Sequence, residues 1–588
     1  MNPAGSGEFT RCATHQLGDG YNMRMRPDHV LDIDARHARV ATWGTPPNAA
    51  FSLANRIARE YTRSTGIAEP SFVPARAPGR ELQLPETRAT GALIDRLGRI
   101  APTRSDDIAR RALSLGKSYP DLVAARGERL DRATDVVVRP RTQAELEQVM
   151  ALLAEENVAV VPVGGGTSVV GGIEPLGAHD DQPVVSIDLG SLSRTVDVDP
   201  ISNVATFEAG IRGPRVEASL APHGLTLGHV PQSFELATLG GWVATRSAGQ
   251  GSLRFGKIES MVAGARLVTP TGVIDIDHLP AHGAGIDMRE MVMGSEGTFG
   301  IISQATMRIT SRPTHIRFAT YLHPDFPTAA RAARTLVQAG IRPTMVRVSD
   351  TAETAFSLGG SIPTWLRSSM MRRAVRSAGL GDAAMTIVLT TGTQDEVRLI
   401  ERTVDRHMRA SGAWNLGPVP AHHWYRARFV QPYARDLMMD RGMLVDTLET
   451  AMPWRSLPEV HRDVRAALES TLGVDRTIVG CHLSHLYRDG ASAYFTFITR
   501  VQSGLELRAW RAAKRAVHEV LSSHHAAVSH QHGVGTMHAD LYRRATPHHM
   551  IDAMQAVRTT FDPNGVMNPG KLFGSSALVR PVNSCVER

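Results

Sequence analysis

Residues Pro162–Gly172 read PVGGGTSVVGG, five glycines in eleven residues, directly behind the apolar run Val158–Val161. The pattern is that of a strand emptying into a loop. Glycine tolerates positive φ and carries no side chain, so successive N–H groups can converge on one anion. Thr167 and Ser168 add hydroxyl donors, and a diphosphate suits such a concavity. The loop lacks the terminal Gly-Lys-Ser/Thr of a P-loop and does not run as G-x-G-x-x-G into a helix, so it belongs to neither of the two commonest phosphate fingerprints.

Working outward, Thr142–Glu155 places Leu146, Val149, Met150 and Leu153 on one face of a helix that feeds this strand. Strands are expected at Val184–Leu189, Val204–Glu208, Ala263–Thr269 and Val273–Ile276, the last two joined by the turn Pro270-Thr271-Gly272. A helix over 213–221 carries Pro214 in its first turn, where a missing N–H is harmless. Beyond Arg317 come longer strands and helices: Phe318–Leu322, Pro327–Gln338, Met385–Thr391 and Asp395–Ala410. Residues before about 128 lack strand alternation and carry short helical patterns at Thr87–Leu97 and Asp106–Leu115, behind a mobile N-terminus.

With 588 residues, 42% of them hydrophobic, the chain can bury large cores and should divide into two or three domains. Cys12, Cys481 and Cys585 are too few and too dispersed for a disulfide framework or a cysteine metal cluster, which points to a reducing compartment. The first thirty residues contain no apolar signal core, and no apolar run reaches the roughly 18 residues of a spanning helix. A cytoplasmic location follows as an expectation. The net charge of +7 comes mostly from arginine and reads as a solvated surface, with peripheral contact to an anionic membrane left open. No basic block interleaved with aromatics suggests nucleic acid.

Two further glycine-bearing segments are PQSFELATLGGWVATRSAG (Pro231–Gly249) and MGSEGTFGIIS (Met293–Ser303). With PVGGGTSVVGG they resemble the FAD-binding domain of the vanillyl-alcohol oxidase and p-cresol methylhydroxylase (PCMH-type) superfamily. The resemblance implies an α+β fold: a helical N-terminal extension (1–128), a PCMH-type FAD-binding domain (129–313), an α/β cap domain over the substrate (314–520), a C-terminal segment returning to the flavin (521–575) and a tail (576–588). It implies that Pro162, Gly164, Gly165, Gly166, Thr167 and Ser168 hold the diphosphate. Pro231, Ser233, Thr238, Gly241, Thr245 and Ser247 would line the middle of the cofactor, with Glu296 and Ile301 near its far end. Members that attach FAD covalently at the first loop use a histidine there. This loop has none, so non-covalent FAD is expected.

The last third carries QPYARDLMMDRGMLVDTLETAMPW (Gln431–Trp454), CHLSHLYRDGASAYFTF (Cys481–Phe497) and SHQHGVG (Ser529–Gly535). These resemble one branch of the superfamily, alkyldihydroxyacetonephosphate synthase, over about Gly116–Phe573. The resemblance implies ether-lipid synthesis without net redox change: the acyl group of acyl-dihydroxyacetone phosphate is exchanged for a fatty alcohol, with flavin N5 as the covalent trap. Tyr494 falls at the family's catalytic tyrosine, where a phenol could protonate the departing carboxylate. Arg347 and Arg435 match family arginines of the active site, and a guanidinium fork suits phosphate. His530 and His532 flank Gln531, where the family carries a third histidine. Glutamine hydrogen-bonds but carries no proton, so where the middle histidine is the working base that role is either vacant here or moved to a neighbour such as His532.

A rival reading is an FAD-linked oxidase or dehydrogenase of a 2-hydroxy acid, glycerol phosphate or other small alcohol, supported by FDPNGVMNPGKLF (Phe561–Phe573). The metal run of hydroxyacid dehydrogenases is incomplete here: His482 remains but Tyr494 replaces the second histidine, so no metal is expected. A flavin-bearing scaffold without turnover is a third reading. Partners are a small-molecule or lipid substrate and, from the family, a second copy in a homodimer.

Overall fold

The computed structural model describes residues 40–68, 82–355 and 382–574; the expected mobile N-terminus up to residue 39 and the tail 576–588 lie outside the described residues. Three larger sheets and one of two strands organise the described residues. The apolar runs Val136–Val138, Val184–Asp188 and Ala159–Val163 pair in parallel, with Val184–Asp188 in the middle. They are almost wholly buried, as strands covered on both faces must be. Helix Gln143–Glu155 covers one face, started by Thr142, whose hydroxyl accepts from the Glu145 amide.

The N-terminal extension is less separate than its sequence suggests. Its helices lie at Gly91–Ile100 and Asp107–Ser114, but Thr103–Arg104 forms a short strand antiparallel to Val136–Val138. Helix Gly91–Ile100 shares a hydrophobic core with Gln143–Glu155, since Leu93 and Leu97 on its apolar face are buried in the same cluster as Leu146, Val149 and Leu153.

A second, antiparallel sheet of five strands runs in the spatial order Thr195–Asp199, Val204–Glu208, Ile301–Arg308, Val262–Thr269, Gly272–Ile276. The third sheet has seven strands, all paired antiparallel: Trp414–Gly417, His315–His323, Ala384–Gly392, Met345–Ser349, Thr477–Leu486, Gly490–Arg500 and Met443–Pro453. Helices Phe326–Gln338, Leu457–Leu472 and Glu506–Ser523 cover one of its faces. The last of these runs through the cap boundary expected at residue 520, since its apolar stripe of Trp510, Ala513, Val517 and Leu521 is continuous.

The two-residue period of a strand sorts the opposite face. Along Gly490–Arg500, Phe495 and Phe497 enter the helix-covered core, while Tyr494, Thr496 and Ile498 face a cavity. Helices Val419–Ala427 and Gln431–Met439 lie over this face, and the N-terminal helix Asn48–Thr65 packs on the latter. Among the described residues no helix is long and apolar enough to cross a membrane.

The C-terminal run FDPNGVMNPGKLF closes the fold. Val160 donates its amide to the Val566 carbonyl and accepts from the Asn568 amide, each at 2.8 Å, so the run lies parallel beside strand Ala159–Val163. Asp562 fixes the turn before it by accepting from the amides of Val566 (2.9 Å) and Met567 (2.8 Å). Asn568, at φ 38°, turns its side-chain amide onto the carbonyls of Glu296 (2.7 Å) and Gly172 (3.1 Å), joining three loops. Replacing it by alanine strips two buried carbonyls of a donor and should cost on the order of 2 kcal/mol. Asn568→Ala is therefore expected to melt several degrees below the parent in a thermal scan, and an unchanged melting temperature would contradict the knot.

Candidate active site

A cavity of about 680 Å³ runs from the glycine loop to the seven-stranded sheet. All fourteen residues expected around the cofactor line it, from Pro162 through Ile301. The loop is glycine for steric reasons. A Cβ on Gly164 would lie 2.2 Å from Thr238 Oγ1 and one on Gly165 2.2 Å from the Leu236 carbonyl oxygen, while Gly166 has φ +67°. The loop thus nests against the start of helix Leu239–Ala244, where the Thr238 hydroxyl accepts from the Gly241 amide. Two backbone segments so close together leave their remaining amides and the hydroxyls of Thr167, Ser168 and Ser233 to face the cavity. That donor set, with no carboxylate in the loop itself, fits a diphosphate.

Glu296 has a second role that its position in the motif hides. It sits at φ 51°, a strained conformation for a non-glycine residue. Its carboxylate accepts from the amides of Val534 (2.6 Å) and Gly535 (2.7 Å), tying the C-terminal segment to the cofactor loops. Burial raises its pKa to about 7, against the pull of those amides and of Lys571.

The cap supplies the other wall. Arg347, on strand Met345–Ser349, binds Glu353 and approaches His482 Nδ1 at 3.0 Å, while Glu353 Oε2 lies 3.0 Å from the same nitrogen. Burial alone would raise the Glu353 carboxyl, but Arg347 and His482 hold it near 2. His482 is pushed down by burial and by Arg347. Its expected counterpart, Tyr494, stacks on its ring at 5.0 Å between centroids. A guanidinium therefore occupies the flank of His482 where a metal ion would need further ligands, and no metal-binding cluster occurs among the described residues. Arg435, in helix Gln431–Met439, lines the cavity and is held by the Lys117 carbonyl at 3.1 Å.

Tyr494 is deep in the sheet. Its hydroxyl donates to Thr447 Oγ1 at 3.1 Å, and burial, with Glu449 and Asp446 nearby, pushes the phenol up to about 12. His532 meets it edge to face at 5.6 Å. Sequence reasoning grouped His530 with His532, but the turn separates them. His532 and Gln531 line the cavity, whereas His530 points behind it, buried, with Nε2 2.6 Å from the Tyr487 hydroxyl and its ring stacked on His485. The chain bends at each of residues 530 to 532, so the strand rule that would put residues two apart on the same side does not hold there.

The residue that sequence reasoning missed is Glu449. One oxygen of its buried carboxylate accepts from the Ser529 hydroxyl (3.0 Å) and from the amides of His530 (3.2 Å), Gln531 (2.8 Å) and His532 (2.7 Å). It is also 3.6 Å from His532 Nδ1 and stands opposite Tyr494 in the strand register. The only sequence signal was an acid alternating with Thr447 in VDTLET; which strand it would face was unreadable. Arg56 and Leu53, from the N-terminal helix, likewise reach the cavity without a motif to announce them.

Residues 134–276 match the family described as FAD binding domain, and residues 312–572 that described as FAD linked oxidases, C-terminal domain. Fold and site together define an FAD-dependent enzyme of the PCMH-type superfamily, with FAD as its cofactor. Alkyldihydroxyacetonephosphate synthase of Trypanosoma brucei brucei is 32% identical over 80% of this chain and 78% of its own length, and that of Dictyostelium discoideum gives the same figures. A solved structure of alkyldihydroxyacetonephosphate synthase, in P212121, superposes with a TM-score of 0.74 at 27% identity, covering 88% of this chain and 91% of that one. The chain belongs to the alkyldihydroxyacetonephosphate synthase family.

The glycine cradle gives a direct test of cofactor loading. Gly165→Ala would press a methyl into the Leu236 carbonyl, so purified variant should lose most of its flavin absorbance per protein while keeping its far-ultraviolet circular dichroism. A variant with full flavin content would show that the loop is not where the diphosphate sits.

Proposed function

We propose that the protein makes an ether bond at C1 of a dihydroxyacetone phosphate unit, exchanging a fatty acyl group for a fatty alcohol. The observation that carries this reading is the meeting of Tyr494, His532, Arg347 and Arg435 around one cavity, with an apolar wall that includes Leu53, Ile57, Met438, Val445 and Ile498. Two guanidiniums suit the phosphate and the apolar wall suits an alkyl chain. FAD, when bound, would supply a nitrogen nucleophile for C1. The fit of the chain to that cofactor rests on the glycine cradle.

The protein side chains divide the remaining work. A phenol held near pH 12 keeps its proton in the presence of a carboxylate, whose conjugate acid is far stronger. Tyr494 therefore assists departure of the acyl group by donating a hydrogen bond to the leaving oxygen rather than by giving up its proton, a narrower role than the sequence suggested. His532 is the group placed to accept the proton of the incoming alcohol. Gln531 lines the cavity beside it and offers an amide that can orient the substrate. On this reading the glutamine at position 531 does not remove the base.

The test is to mix the yellow holoenzyme with palmitoyl-dihydroxyacetone phosphate and hexadecanol without an electron acceptor. Alkyl product is expected. Tyr494→Phe should lower kcat by roughly a hundredfold or more at unchanged flavin content. Bleaching of the flavin by D-lactate, glycolate or glycerol 3-phosphate, with no alkyl product, would instead establish an oxidoreductase.

A further inference from the structure

The exchange has a proton left over. Breaking the C1–O bond of an ester releases a carboxylate, and forming the C1–O bond of an ether takes the oxygen of an alcohol and sheds its hydrogen. No electrons are gained or lost, but each turnover yields one proton, because a free carboxylic acid is ionised near neutral pH. With His532 as acceptor, that proton lies at the inner end of a cavity filled by cofactor and alkyl chain.

Behind His532 a line of polar atoms leads away from the cavity. His532 Nδ1 is 3.6 Å from Glu449 Oε1, Glu449 Oε2 is 3.9 Å from His530 Nδ1, and His530 Nε2 is 2.6 Å from the Tyr487 hydroxyl. His530 Nδ1 is buried without a hydrogen-bond partner, an arrangement that ordinarily costs on the order of 1–3 kcal/mol. Tyr487 lies just before the exposed turn Arg488–Asp489 and is itself partly exposed. His530 serves no contact in the cavity. Burial, His485, Lys257 and His532 all favour its neutral form, in which one ring nitrogen can accept a proton while the other releases one. The carboxylate must move less than an ångström to come within hydrogen-bond distance of either histidine.

We infer that Glu449, His530 and Tyr487 form a proton exit from His532 to the protein surface, separate from the path by which substrate enters. The inference rests on the ether-forming reading above. It gives a purpose to the inward-turned histidine of SHQHGVG and to a carboxylate that the reaction itself does not touch. Glu449 is in addition a positioning residue, since its amide contacts hold the turn. Tyr487 is the member whose loss leaves that turn intact, because it bonds only the outer nitrogen of His530.

Tyr487→Phe is the variant to measure, in full-length holoenzyme, with palmitoyl-dihydroxyacetone phosphate and hexadecanol. Expected are a fall in kcat of roughly tenfold, unchanged KM for both substrates, an enlarged solvent deuterium isotope effect on kcat, and partial recovery on adding imidazole as a small proton carrier. His530→Asn should behave alike and serves as the second variant if Tyr487→Phe loses flavin or melts early. Unchanged kcat and isotope effect would overturn the relay, and so would a loss that neither enlarges the isotope effect nor responds to imidazole, which marks a structural role. Parent enzyme that forms no ether product would instead remove the underlying reading.

Discussion

Two buried carboxylates grip one turn, and the site depends on that grip. Glu449, from the seven-stranded sheet, takes the Ser529 hydroxyl and three successive amides, His530 to His532; Glu296, from the cofactor loops, takes the next pair, Val534 and Gly535. A carboxylate out of water is tolerated only when its lone pairs are satisfied, and backbone amides do this with little loss of entropy because the turn is already short. The result is that a segment remote in sequence from both partners is fixed at the boundary between the cofactor loops and the cap. Everything chemical in the cavity is positioned relative to it.

The same economy explains the rest of the wall. Tyr494 and Glu449 are cross-strand neighbours, so the strand pairing that builds the sheet also sets the distance between phenol and histidine turn. Arg347, Glu353 and His482 neutralise one another in a closed group, which lets a guanidinium remain buried beside the cavity. Arg347, Tyr494 and Glu449 come from three strands of one sheet, Arg435 from a helix over it and His532 from the C-terminal turn, and Glu296 and Asn568 tie that C-terminal segment to the glycine loops.

Much was legible beforehand. The glycine loop, the strands flanking it and the helices at 143–155, 213–220, 326–338 and 394–410 follow from local rules of apolar period, glycine and proline placement, and hydroxyl caps. The fourteen loop residues gather around one cavity because three short motifs each carry their own turn geometry. The N-terminal region was read less well. The strand Thr103–Arg104 is two residues long and the helix Asn48–Thr65 has no side-chain cap, so neither leaves a clear local trace.

The amino-acid order by itself settled which backbone could bend around a diphosphate, since a Cβ at Gly164 or Gly165 would come within 2.2 Å of the neighbouring segment, and it settled which side chains are chemically able to act. It did not settle which way those side chains face. Whether His530 or His532 looks into the cavity, and that Glu449 rather than some other acid holds them, were decided by strand register and by the return of the C-terminal segment. Both are long-range choices: they are made by burying charge against amides 81 to 239 residues away, and no local pattern encodes them.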